Sequence, residues 1–69
     1  MAESVYTVVE LIGTSTQSWE KAAAAAVTQA SQSLRDLRVA EVGRLDVTIE
    51  DGRVATFRAR VTLSLKYEQ

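Results

Sequence analysis

Sixty-nine residues, with eight basic and nine acidic side chains for a net charge of -1 and neither cysteine nor histidine, set narrow limits. A chain this short is expected to form a single domain over residues 1–69 and to bury only about 60% of the surface its unfolded form exposes. Disulfides, thiolate or imidazole catalysis, Cys/His zinc sites and haem ligation are excluded, which leaves self-association as the support for a small core.

The near-neutral charge balance offers no footprint for nucleic acid, and no run approaches the roughly 18 consecutive apolar residues of a membrane span. The first ten residues lack the basic start and apolar centre of a secretory leader. The expectation is a cytoplasmic protein with neither a nucleic-acid nor a membrane partner.

The stretch SVYTVVELI, residues 4–12, is rich in β-branched side chains and apolar at both parities. Val5, Val9 and Leu11 fall on one face and Tyr6, Val8 and Ile12 on the other, so this strand is expected to be covered on both sides. Gly13 reads as its end, and Thr14 or Ser15 as the cap of the helix that follows. That helix is expected from Thr16 to Leu37. Trp19, Ala22, Ala23, Ala26, Val27, Ala30, Leu34 and Leu37 recur at steps of three and four and form one apolar stripe. The alanine run lets the helix axis approach a sheet closely and favours the helix intrinsically. Trp19, on the first turn of the stripe, reads as core or interface, like Val5, Val9 and Leu11.

From Val39 onward the period changes to two. Leu45, Val47 and Ile49 alternate with Arg44, Asp46 and Thr48, and Ala55, Phe57, Ala59, Val61, Leu63 and Leu65 alternate with polar residues. A two-residue Asp51-Gly52 loop would set Val47 opposite Thr56. A three-residue loop of Glu50, Asp51 and Gly52 pairs Ile49 with Arg53 and Val47 with Ala55, which keeps like with like and is the expected turn. The element order is strand, helix, strand, strand. With a right-handed crossover it gives an α+β fold in which an antiparallel sheet, order 1-3-2, packs on one long helix. The other sheet face then calls for cover from further copies of the chain.

Two stretches, VVELIGTSTQSWEKAAAAAV (8–27) and EDGRVATFRARVTLSL (50–65), together with ASQSLRDLRVAEV (30–42), resemble the dodecin family across nearly the whole chain. The resemblance implies a βαββ subunit in a hollow, spherical homododecamer with cubic symmetry. It implies no enzyme activity, but the binding of flavins such as riboflavin or FMN, two at a time, between subunits. In flavin-binding relatives the residues after the helix resemble L-D-W-F-E-V, and the tryptophan stacks on the isoalloxazine ring. Here Val39 takes that place and offers no flat π-face. The glutamine that meets the polar ring edge corresponds to Arg58, which donates hydrogen bonds but cannot accept them. An arginine found in some relatives corresponds to Asp46, whose charge opposes a flavin phosphate. These three departures argue against ordinary flavin binding.

The segments SWEKAAAAAV and LRVAEV resemble a tryptophan-less branch of the family for which calcium binding is implied. Calcium takes several hard oxygen ligands, and the chain offers Glu10, Glu20, Glu41, Asp46, Glu50, Asp51 and Glu68. Glu10, Glu41 and Asp46 are the candidate metal ligands. With no EF-hand spacing, a site would have to be assembled from different subunits. A structural assembly without a tight ligand is the other reading. Arg58, Arg60 and Lys66 make a basic strip on one strand face that could bind anions inside a cage, but charge alternating with Thr and Ser reads rather as a solvated sheet face.

Overall fold

The computed structural model describes residues 3–67. It contains β1 (Tyr6–Ser15), α1 (Trp19–Ser31), β2 (Leu37–Glu50) and β3 (Arg53–Lys66). The three strands form one sheet in the order β1-β3-β2, with both neighbouring pairs antiparallel. This is the expected βαββ arrangement, with the helix providing the crossover between β1 and β2.

Small side chains form the contact between helix and sheet. Ala22, Ala26 and Ala30, at successive i, i+4 steps, are buried against Ala59, Val61 and Leu63 of β3. Val9, Leu11, Ala23, Val27, Leu34 and Leu37 pack around them. Gly13 does not end β1, as expected, but lies inside it opposite Ala59. Its role is steric: a Cβ there would sit 1.9 Å from the Ala22 carbonyl oxygen, so the absent side chain is what lets the helix backbone approach the strand.

The helix is shorter than expected at both ends. Ser15 Oγ accepts from the Gln17 and Ser18 backbone N–H groups, which holds residues 16–18 in a turn. Ser18, with extended backbone, is the N-cap, and its hydroxyl accepts from Lys21 N–H at 3.0 Å. Neither Thr14 nor Ser15 is therefore the cap. At the other end the Ser33 and Leu34 N–H groups both fold back to the Ala30 carbonyl. Leu34 and Leu37 still pack on the core although they have left the helix.

With no Gly or Pro at the junction, Asp36 makes the change of direction at φ 58°. Its carbonyl accepts from Lys66 N–H at 3.1 Å, which ties the junction to the end of β3. Aspartate tolerates the left-handed region better than branched residues do. Asp36→Val is expected to lower stability by about 1–2 kcal/mol in chemical denaturation, while Asp36→Gly leaves it unchanged or raises it.

The β2–β3 turn is also corrected. Glu50 pairs with Arg53, leaving a two-residue Asp51-Gly52 loop in which both residues have positive φ, 52° and 74°. Such a mirror-image turn matches the twist of the flanking strands. Ala55 is an extra residue on β3, and beyond this bulge Val47 meets Phe57 and Leu45 meets Ala59. Like still faces like, two residues away from the expected register.

The hairpin of β2 and β3 extends past the helix. The protomer measures 54 × 21 × 14 Å, with a radius of gyration of 14.3 Å. A compact chain of this length has a radius of about 11 Å. Its accessible surface of 5308 Å² is about a quarter above the roughly 4,250 Å² typical of a folded monomer of this mass. Val42, Leu45, Ile49 and Val54, all on the hairpin, are exposed.

Candidate functional site

The sheet face turned away from α1 is read row by row from the strand registers. Tyr6 pairs with Lys66, and Val8 and Val39 both flank Ser64. Glu10 and Glu41 flank Thr62, Ile12 and Arg44 flank Arg60, and Thr14 and Asp46 flank Arg58. Apolar Tyr6, Val8, Ile12 and Val39 are all exposed here. The first strand is thus apolar on both sides, but one protomer covers only the helix-facing side.

Gly43 sets this arrangement. It has no partner on β3, and the register shifts by one residue across it, so Glu41 and Arg44 lie on the same face although they are three positions apart. A bulge re-aims side chains in this way.

All three positions that the sequence resemblance assigns to a flavin pocket, Val39, Asp46 and Arg58, lie on this face, but they do not meet within a protomer. Val39 is in the Ser64 row and is 56% exposed. Asp46 and Arg58 are six β3 residues away, roughly 20 Å along the strand. Arg58 Nε donates to one Asp46 carboxylate oxygen at 2.7 Å and Arg58 Nη2 to the other at 2.9 Å. The fork engages both oxygens, as guanidinium–carboxylate geometry favours.

The Arg58 hydrogen bonds hold the Asp46 carboxyl below its ordinary value of 3.8; the charges of Arg58 and Arg60 act in the same direction, and partial loss of hydration opposes them. The same hydrogen bonds raise the Arg58 guanidinium. Because the folded value is depressed, the pair's contribution is present above pH 3.8 and is lost as the pH falls through the lower folded value. Asp46→Asn should therefore melt slightly below the parent protein at pH 7, with the difference shrinking as the pH is taken progressively below 3.8, as thermal unfolding across pH will read.

The candidate metal ligands divide. Glu10 and Glu41 share the Thr62 row, with Cα atoms roughly 10 Å apart across two strand spacings. Asp46 lies farther along the sheet and is engaged by Arg58. Glu20 is on the first turn of α1, Glu50 and Asp51 are at the hairpin turn, and Glu68 lies outside the described residues. Among the described residues, no three Asp or Glu side chains come together as a group able to hold a metal ion.

On the helix side, Trp19 is 38% exposed. Its indole N–H donates to the Asp46 carbonyl at 3.0 Å, and its ring meets Phe57 edge to face, with centroids 5.2 Å apart and planes at 75°. The groove beside it, about 450 Å³, is lined by Glu20, Ala23, Val42 and Leu45 as well as Trp19. Of the other interface or core candidates, Val9 and Leu11 pack against the core, whereas Val5 precedes β1 and is exposed. Val5 contributes its carbonyl, which accepts from Tyr67 N–H at 2.9 Å. Sequence reasoning missed the Arg44–Arg60 row, which follows from the two-residue turn and the extra Ala55 on β3, and missed that Glu41 shares its face, for which Gly43 inside an alternating strand was the available signal.

Comparison with known proteins gives a consistent result. The family model described as Dodecin matches residues 5–68. The chain is 44% identical over 63 residues to calcium dodecin of Mycobacterium tuberculosis, spanning 91% of this chain and 89% of that one. Its fold matches dodecin from Streptomyces coelicolor with a TM-score of 0.92 at 39% identity, covering 100% of this chain and 99% of the other. It also matches the crystal structure of the M. tuberculosis calcium dodecin, a calcium-chelating antigen with a novel calcium-binding site, with a TM-score of 0.83 at 43% identity, covering 94% and 93% of the two chains.

Proposed function

The chain belongs to the dodecin family, and from that premise we propose that it is a non-enzymatic, cytoplasmic binding protein that assembles as a homododecamer and holds calcium rather than a stacked flavin. The observation that carries this reading is the 44% identity, over 91% of the chain, with a relative named for calcium. Val39 supports it, since an aliphatic side chain at the position corresponding to the stacking tryptophan gives the isoalloxazine ring no aromatic partner. Assembly draws support from the exposed apolar residues on both sides of the sheet and from the elongated shape. An exposed apolar surface of this extent marks an interaction face.

The donor chemistry fits a hard cation. Glu10 and Glu41, with the Thr62 hydroxyl between them, present oxygen ligands on one uncovered face. Two carboxylates and a hydroxyl fall short of the six to eight oxygens calcium takes, so water and a neighbouring copy supply the rest. Both Asp46 oxygens accept from Arg58, so Asp46 is left out of the proposed set.

The test combines calorimetric calcium titration with light-scattering mass and thermal melting in the same preparation. A dodecamer that binds calcium and melts several degrees higher with it than with chelator is the expected result, since a ligand at 100 times its Kd adds about 2.7 kcal/mol. Glu10→Gln and Glu41→Gln should each remove that shift. Riboflavin fluorescence quenched by an intact dodecamer whose melting ignores calcium would overturn the reading.

A further inference from the structure

The face that carries Glu10 and Glu41 carries a second, oppositely charged feature. Arg44 and Arg60 are direct partners across β2 and β3, in adjacent strands with the same facing. Like charges placed opposite one another in a sheet are destabilising. Among the described residues neither forms an ion pair, the single one being Arg58 with Asp46. Glu10 and Glu41, one row away in the Thr62 row, lie on diagonals from Arg60 yet make no such contact. Arg58 is held by Asp46, and neither Arg44 nor Arg60 has an ion-pair partner of its own, although the charge of Arg60 also reaches the Asp46 carboxylate. A cleft of about 60 Å³ opens between them, closed on its other sides by Ile12, Asp46 and Arg58. It has room for one small oxyanion and none for a ring system.

We propose that Arg44 and Arg60 form a phosphate-binding site, taking either inorganic phosphate or the phosphate group of a small metabolite. Guanidiniums match tetrahedral oxyanions bidentately, and two of them side by side share the anion's charge, which also removes their mutual repulsion. The Arg58–Asp46 fork borders the cleft along the strands and keeps Arg58 from the anion, while Ile12 borders it on the β1 side of Arg60. The site is independent of the cation reading, since it uses neither Glu10 nor Glu41.

The experiment is thermal melting of the full chain in chelator-containing buffer, with sodium phosphate compared against sodium chloride at matched ionic strength. Phosphate is expected to raise the melting temperature of the parent protein and of Lys66→Gln, and to leave Arg44→Gln and Arg60→Gln unmoved. In chloride alone the two arginine variants should melt at or above the parent, because each removes a like-charge contact. Adenosine and adenosine monophosphate separate the sources. A shift by the nucleotide equal to that by phosphate means that the anion alone is read, a larger shift that an attached metabolite is held as well, and adenosine should do nothing. Equal shifts in phosphate and chloride would overturn the proposal. So would a phosphate shift that survives in Arg44→Gln, or arginine variants that melt well below the parent in chloride, which would mean that the guanidiniums are engaged in ion pairs between copies.

Discussion

Gly13→Ala is expected to cost about 3 kcal/mol or more and to abolish assembly at ordinary temperatures. Its new methyl would lie 1.9 Å from the Ala22 carbonyl oxygen, 3.0 Å from the Ala22 carbonyl carbon and 3.1 Å from the Ala26 Cβ. The first two are helix backbone, which has no rotamer to change, so the whole helix must lift from β1. Lifting it strips Ala22, Ala26 and Ala30 from Ala59, Val61 and Leu63, which among the described residues make up the whole buried cluster. Overpacking of a well-formed core costs typically 1–3 kcal/mol and more when backbone must move, against a total stability of about 5 kcal/mol for small domains. Gly43→Ala is the control: a Cβ there meets nothing closer than the Arg60 carbonyl oxygen at 4.0 Å. Circular dichroism with light scattering should find Gly43→Ala folded and assembled and Gly13→Ala neither. Equal behaviour of the two variants would mean that the helix accommodates a methyl, and the close-approach account would fail.

The second large effect is a gain. Val39→Trp with Arg58→Gln is expected to convert the protein into one that quenches riboflavin fluorescence. An aromatic pair is worth roughly 0.5–1.5 kcal/mol beyond the area it buries, or up to about tenfold in affinity. Glutamine adds an acceptor that arginine lacks. The structure adds a complication that sequence alone did not contain: Arg58→Gln leaves the Asp46 carboxylate without the fork that neutralises it. A flavin phosphate would approach that bare charge, so the double variant should bind riboflavin more tightly than FMN. Adding Asp46→Asn should narrow the gap. An assembled double variant that quenches neither flavin would mean that Val39 does not occupy the stacking position.

Much of the architecture was legible because two periodicities divide the chain. One helix-spaced stripe followed by two alternating strands leaves few topologies once a right-handed crossover is required. The errors have separate physical causes. Leu34 and Leu37 continue the apolar stripe because they pack on the same core, and spacing alone does not distinguish a helical residue from a turn residue that reaches the same place. The hairpin register missed because alternation reports only parity: the extra Ala55 on β3 restores like-to-like pairing after a two-residue turn, so the right faces were read from the wrong partners. Gly13 was read as punctuation when its function is clearance. At the site, alternation sufficed to put Asp46 and Arg58 on the polar face. Their pairing depends on the true register, and Glu41 joins them only through the bulge at Gly43.

The strand order has a consequence in time. β2 and β3 are joined by a two-residue turn and pair as soon as both exist, whereas residues 6–15 of β1 find their partners only at 57–66. During synthesis β1, apolar on both of its faces, therefore waits without a hydrogen-bonding neighbour in the sheet until β3 has left the ribosome. Closing that long loop is the slow, entropically costly step.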